Sequence, residues 1–426
     1  MYVQNLLKIL NYAPELRSDT LSLITERLVK IDVQVQIDLE DLAEEVGEGL
    51  VQKVPQIRPD LIDVNEDPKS SEEESESDEE EDTEAQRTKD VTRNVEKMDA
   101  ILDVLFSHYN HSSSKPKAET QSGAVDILLS QFVNIILPTH RSRHTQFLLF
   151  HFAQQSPTYI DIFVGTCVQI AFDRGQAAIN RQAAAAYLAS FVARGEHVPR
   201  NIVQDVFDYI GSELERLRRE YEPTCRGPDL RRYSSFYCLV QAMLYMFCFR
   251  WHELESTSHD DYDDDDPTVS YGQERYWRSG VREVLNSNIF SKLNPLKVCS
   301  PAIVNEFARI SRHLGIVYVF HLLETNKRVK LIQFSPCAVS SSYRYNQPDR
   351  ETALSANKDG THQHLDAYFP FDPYHLPKSK RWIEGDYREW AGIPGLDDNE
   401  VDESDSDGED TVQNDLEDGT ETEVSL

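Results

Sequence analysis

The chain has few cysteines, and none are close together. All six (Cys167, Cys225, Cys238, Cys248, Cys299 and Cys337) are widely spaced, with no C-x-x-C pair. That spacing excludes a disulfide-stapled scaffold and fits free, buried thiols in a reducing compartment. There is no G-x-G-x-x-G, no G-x-x-x-x-G-K-[ST], no H-E-x-x-H and no G-x-S-x-G. Phosphate-cradling loops, zincin helices and nucleophile elbows are therefore missing, and no enzymatic chemistry is expected. No basic region followed by an apolar run opens the chain, which predicts no signal peptide and a cytosolic or nuclear protein. One segment, 233–251, is apolar on all sides, but it falls short of twenty residues and Ser234, Ser235 and Gln241 interrupt it. It reads as a buried bundle helix, with no membrane partner expected.

Basic residues are also scarce, 43 against 74 acids. The imbalance is local. Residues 66–84 carry 12 acids and one lysine, 260–266 carry 6 aspartates, and 397–426 carry 14 acids and no base. These tracts hold the whole net charge of −31, so the remaining body is neutral. The low isoelectric point belongs to the appendages and leaves room for basic surfaces on the fold.

What the chain does have is a stretch from His144 to Trp251 with four apolar helical segments in succession. Ser156-Pro157 has the signature of a capped helix start. Residues 176–194 contain the block Ala183-Ala184-Ala185-Ala186, with high helix propensity and small side chains that admit a close neighbour. Gly195 is placed as its C-cap, and Pro199 opens the next helix. There Val203, Val206, Phe207, Ile210, Leu214, Leu217 and Tyr221 form one stripe of a 3.6-residue repeat. Pro157 and Pro199 are 42 residues apart, the period of HEAT or armadillo helix pairs. The predicted fold is all-α, a HEAT-like helical-repeat solenoid with disordered acidic insertions and tail.

In order, residues 1–54 read as helical repeats at a truncated start of the solenoid. A helix pair is joined at Ala13-Pro14, Leu21, Ile24, Leu28 and Ile31 form a stripe, and a further helix is placed over 37–50. Residues 55–93 read as a disordered acidic Ser/Glu linker. The solenoid core spans 94–334, with an acidic Asp loop at 255–270. Residues 335–395 read as a loop and an aromatic, Pro-rich segment packing on the last repeats, because so many aromatics would not stay in water unpaired. Residues 396–426 form an acidic tail.

Candidate sites are few. His140 and His144, and His362, His364 and Asp366, have metal-like spacing but lack the ligand count of a closed zinc site. Polar loop histidines explain them more simply. Ser70, Ser71, Ser75, Ser77, Ser404 and Ser406 each have an acid three residues on, the pattern an acid-directed kinase prefers; phosphate there would deepen the charge. Basic clusters occur at Arg141/Arg143, at Arg216/Arg218/Arg219 with Arg231/Arg232, at Lys327/Arg328/Lys330 and at Lys378/Lys380/Arg381. They could meet an acidic protein or nucleic acid, or simply form solvated ion pairs.

Three stretches resemble a known family. They are Arg181-Gln182-Ala183-Ala184-Ala185-Ala186-Tyr187-Leu188-Ala189-Ser190-Phe191; Asn294-Pro295-Leu296-Lys297-Val298-Cys299 with Val304-Asn305-Glu306-Phe307-Ala308-Arg309; and Asp366-Ala367-Tyr368-Phe369-Pro370-Phe371-Asp372-Pro373-Tyr374 with Trp390. Together they resemble the RNA polymerase I-specific transcription initiation factors. The resemblance implies a HEAT-repeat protein with no catalytic site and no cofactor. It implies a bridge between RNA polymerase I subunits and the core promoter factor at ribosomal DNA, controlled by phosphorylation, in the nucleus and nucleolus. It also implies that further N-terminal repeats are absent here. After Phe191 the family continues with a more basic run, and of that partner-contact segment only Arg194 carries over. We expect partner contact at Arg141, Arg143, Arg181, Arg194 and Arg200. Rival readings are a helical-repeat adaptor of another kind, such as a nuclear transport receptor, and a direct DNA-binding protein.

Overall fold

The computed structural model describes residues 2–46, 78–113, 118–139, 142–256, 276–334, 364–390 and 392. The fold belongs to the unit Met1–Glu389. Among the described residues it is all-α, with twelve α-helices and only two isolated β-bridges.

Helix α1 spans Tyr2–Ile9 and α2 spans Arg17–Val46, with a tight turn at Pro14–Leu16 between them. The sequence pattern placed a separate helix from residue 37. The structure instead keeps one helix through it, because no Gly or Pro interrupts the hydrogen-bond ladder between Arg17 and Val46. The buried stripe of α2 runs through Leu21, Ile24, Leu28, Asp32, Val35 and Leu39, so an aspartate takes the core position expected of Ile31. Helix α3, Asp78–Ser113, begins inside the stretch expected to be a disordered linker, and its Val91 is already core. It packs on α2 through Val95, Met98, Leu102 and Leu105. Helix α4, Ala118–Gln131, runs into a π-turn at Phe132–Ile136 just before Pro138, which lacks the N–H to continue.

The stretch expected to hold four helices holds five. They are α5 (Phe147–Ala153), α6 (Pro157–Phe172), α7 (Ala178–Arg194), α8 (Arg200–Tyr221) and α9 (Leu230–Arg250). Helix α7 lies against both α6 and α9. Its alanines bring the backbones close: Ala184, Ala185, Ala189 and Ala193 are all buried. Helix α9 packs also on α8, so it is surrounded, which is why it is apolar on every side. The α8 stripe from Val203 to Leu217 is buried as its periodicity requires. Two end signals work differently from expectation. Pro157 occupies the first turn of α6, but the Ser156 side chain makes no capping hydrogen bond. Gly195 ends α7 in extended rather than left-handed geometry. Its glycine is required by space, because a Cβ there would lie 2.9 Å from the Phe191 carbonyl and 2.8 Å from Val198 Cγ2.

Helices α10 (Val281–Ile289), α11 (Pro301–His313) and α12 (Phe320–Phe334) complete the stack, with α11 against α9. Helices pack largely on near neighbours in the chain, the arrangement a stack of helix pairs requires. Of the six cysteines, Cys167, Cys248 and Cys299 are buried free thiols and Cys225 and Cys238 are half-buried and free. Burial pushes the thiols of Cys167, Cys248 and Cys299 well up and that of Cys238 to about 12, so they are inert at neutral pH. Cys337 lies outside the described residues.

The segment 364–389 is a strap with one tight turn, Lys380–Trp382. It crosses far more than the last repeats. Phe371 is fully buried, with its ring centroid 5.5 Å from that of Phe147, 4.8 Å from Phe150 and 5.6 Å from Tyr187. Trp382 stacks on Phe106 of α3 at 5.9 Å, and Phe369 stacks on Tyr245 of α9 at 3.7 Å. The strap therefore ties α3, α5, α7 and α9 together.

Candidate partner-binding surface

The five candidate arginines do not make one face. Arg141 lies outside the described residues, as do His140 and the six candidate serines. Arg143 is exposed. Arg181, half-buried on α7, donates from Nε to the Ala171 carbonyl at 3.2 Å, closing the end of α6. Arg194 was expected to touch a partner, but the structure corrects this. It is 7% exposed, donates to Tyr245 Oη at 3.1 Å, and its guanidinium lies 4.3 Å from the Phe249 ring centroid. Its charge is held inside by ring faces and the strap. Arg200 bonds the backbone carbonyls of Glu253 and Glu255, fastening the start of α8 to the turn after α9. Arg194 is thus enclosed in the fold, while Arg200 is half-buried with its guanidinium engaged on backbone carbonyls.

Arg143 sits beside a buried charge cluster that sequence reasoning missed. Asp32 of α2 accepts the backbone N–H groups of Arg143 (3.1 Å), His144 (2.9 Å) and Thr145 (3.0 Å). It also accepts the hydroxyls of Ser142 (2.8 Å) and Thr145 (3.0 Å), and His144 Nδ1 lies 2.9 Å from its Oδ1. Burial alone would raise this carboxyl. The His144 charge and these hydrogen bonds overrule burial and hold it at about 2. His144, read in the sequence as a loop residue, is therefore a buried partner of Asp32. The signal was present: an aspartate on a helix core stripe implies partners. Among the described residues no His/Cys/Asp/Glu group is arranged to hold a metal.

Asp99 plays the same part for the strap. It sits beside Met98 on the α3 core face and accepts the N–H groups of Lys378 (2.8 Å) and Ser379 (2.9 Å) and the Ser379 hydroxyl. Arg250 is the third such group. It is 1% exposed, bonds the carbonyls of Val192 (2.8 Å) and Gly195 at the end of α7, and pairs with Glu253 at 2.9 Å. It satisfies the orphan carbonyls of α7 in place of a left-handed cap.

Beside Arg143 is an apolar cleft of about 300 Å³. It is lined by Ala183 and Ala186 of α7, Ala242 of α9, and Tyr368 and Phe369 of the strap. The small alanines leave the space unfilled. The Tyr368 hydroxyl bonds the Ser142 carbonyl, and the Arg143 charge acts on that hydroxyl, so Arg143 is near Tyr368. Ile179 at the mouth is 60% exposed. A cleft, an exposed apolar residue and an exposed cation are thus found together at this edge of the fold.

Three of the five arginines in the cluster that suggested DNA binding, Arg216, Arg218 and Arg219, are neutralised, and Arg231 and Arg232 are exposed. Arg216 pairs with Glu213 and Glu220, and Arg218 with Glu215 and Glu222. Arg219 pairs with Glu215 at 2.8 Å.

Residues 1–395 match the family model "RNA polymerase I specific transcription initiation factor RRN3". The chain is similar to the RNA polymerase I-specific transcription initiation factor rrn3 of Schizosaccharomyces pombe, 30% identical over 94% of this chain and 62% of that protein. It is similar to RRN3 of Saccharomyces cerevisiae, 29% identical over 96% of this chain and 66% of that protein. RRN3 of Mus musculus is 28% identical over 91% of this chain and 54% of its own length. The chain thus spans between 54% and 66% of these relatives. A crystal structure of RNA polymerase I transcription initiation factor Rrn3 superposes with a TM-score of 0.66 at 25% identity, over 91% of this chain and 65% of that one. The family model covers residues 1–395 and the helical fold agrees with that crystal structure, so the chain belongs to the RNA polymerase I-specific transcription initiation factor RRN3 family.

Proposed function

We propose that this chain acts in transcription initiation by RNA polymerase I, as a non-enzymatic bridge between the polymerase and the core promoter factor at ribosomal RNA genes in the nucleolus. The family match across residues 1–395 carries the reading. The fold supports it physically: a strap that locks four helices into one body gives a rigid scaffold, and rigid surfaces lose little entropy on docking. Partner contact is assigned to the Arg143–Ile179 cleft rather than to the five arginines together, because Arg194 is buried and the Arg200 guanidinium is engaged on the carbonyls of Glu253 and Glu255. The acidic serine tracts at 70–77 and 404–406 serve as phosphorylation sites that tune binding through added charge.

The test is capture of purified polymerase I and of the core promoter factor by the chain, together with promoter-directed transcription. Arg143→Glu with Ile179→Glu should reduce capture about tenfold, a loss of ~1.4 kcal/mol, with helix content unchanged. Full capture of both partners by that variant would remove the cleft from the interface. Failure of the parent chain to support initiation or capture would remove the function.

A further inference from the structure

At the end of the stack where α8 finishes and α9 begins, unneutralised cations gather from three parts of the chain. Arg226 and Arg231 lie on the connection between those helices and its exit, Lys292 follows α10, and Lys327 and Arg328 are on α12. All five are exposed, and none makes an ion pair among the described residues. Their proximity is built in. Cys225 Sγ donates to the Lys292 carbonyl at 3.7 Å, and the Lys292 N–H donates to Glu222 at 3.2 Å. The Tyr237 hydroxyl donates to the Leu293 carbonyl at 2.9 Å. Asn294 Nδ2 donates to Asn326 Oδ1 at 2.8 Å, which brings α12 to the same edge. The contrast with α8 is direct: there Arg216, Arg218 and Arg219 each pair with a carboxylate, and here none of the five does.

Beside the cations is an exposed aromatic shelf. Phe290 is 43% exposed and Tyr318 is 60% exposed. The His321 ring stacks with both, at centroid distances of 5.5 and 6.2 Å and interplanar angles of 15° and 14°. Phe290 is two residues from Lys292, and His321 and Arg328 are seven apart on α12, on the same helix face. Exposed rings held side by side next to unpaired cations mark a binding surface rather than a solvated face.

We propose that this end of the stack docks an acidic polypeptide segment that carries an apolar side chain, with its carboxylates on the five cations and its apolar residue on the Phe290–His321–Tyr318 shelf. An acidic peptide fits better than nucleic acid for two reasons. The chain carries a net charge of −31 in its tracts, a field that opposes a long polyanion such as a duplex more than a short segment. The shelf rings are also stacked on one another, so less open ring face is offered to a base than a single-strand platform requires. This surface is separate from the Arg143 cleft, and the proposal does not depend on polymerase I being a partner.

The experiment is fluorescence anisotropy of the full chain with a labelled twelve-residue Glu-rich peptide containing one Phe, at several salt concentrations. The expected result is salt-sensitive binding that weakens at least tenfold in Arg226→Gln/Arg231→Gln/Lys292→Gln/Lys327→Gln and severalfold in Tyr318→Ser. Arg219→Gln on α8, exposed but already paired, should leave it unchanged. These positions are on the surface, and circular dichroism is the check that the variants fold. Absence of binding to the parent chain, or equal binding by the quadruple variant, would overturn the proposal. So would tighter binding of duplex or single-stranded DNA of matched charge to the same residues.

Discussion

Asp99 of α3 accepts the backbone N–H of Ser379 at 2.9 Å across 280 residues of sequence. A second bond to the Lys378 N–H makes the carboxylate a two-point clasp for the strap. Replacing Asp99 with Ala leaves these donors buried without an acceptor, at a cost of ~1–3 kcal/mol for each unmet group. We expect trypsin to cut at Lys380 and Arg381 in Asp99→Ala far faster than in the parent chain. Equal protection of both would show that the rings alone hold the strap.

Phe371 tests the rings. Its side chain fills a space bounded by Phe147, Phe150, Phe163, Tyr187 and Phe191. Phe371→Ala should lower unfolding stability by ~3–5 kcal/mol, and Phe371→Leu by less. Urea titration followed by circular dichroism measures both. Similar losses for the two variants would mean that the space collapses around either.

Two carboxylates give opposite pH dependences. Asp32 is held at about 2, below its ordinary 3.8, so its contribution is complete above that value and is lost as pH falls toward 2. Asp372 is raised to about 6 by burial, which outweighs the nearby Arg194 and Arg143 charges and the Tyr245 hydroxyl. Its folded form binds a proton more tightly, so it favours folding below about 4 and costs stability as pH rises through 6. Each effect is on the order of 2 kcal/mol. Asp372→Asn should flatten the change in urea midpoint between pH 4 and 6, and Asp32→Asn should flatten it below 4. Asp32→Asn also costs stability at neutral pH, because it breaks a buried pair. An unchanged pH profile in Asp372→Asn would show that this carboxyl titrates normally.

Gly195 is the point where α7 ends against the strap. It bridges to Tyr387, and Arg250 holds its carbonyl. A methyl group meets the Phe191 carbonyl and Val198, so Gly195→Ala should destabilise by ~1–3 kcal/mol through overpacking. If the thermal midpoint of Gly195→Ala matched that of the parent, the close approach would not be required.

The central helices were readable because burial and periodicity coincide there. Val203 to Leu217 repeats at the helical period and is buried on that face, and Pro157 and Pro199 mark real helix starts. The partner-site assignment was less legible. Arg194 and Arg143 look alike in sequence, yet one is enclosed by Tyr245, Phe249 and the strap and the other is exposed. Nothing local distinguishes them, because the enclosing residues come from α9 and from nearly two hundred positions further on. Asp32 and Asp99 were legible in principle, since each is an acid on an apolar stripe, but their partners Thr145 and Ser379 were not.

Composition and periodicity alone determined that this chain is helical, that its net charge sits in acidic tracts beside a neutral body, and which helix faces are apolar; the family resemblance came from three specific stretches, 181–191, 294–309 and 366–374. These are local properties, set by side-chain propensity and by a spacing of three to four residues. Tertiary structure alone decided which arginines are inside, where the strap runs, and that unpaired cations from three distant segments meet at one edge. Those outcomes depend on contacts between residues far apart in the chain, and a linear pattern contains no information about which distant groups will neutralise a charge.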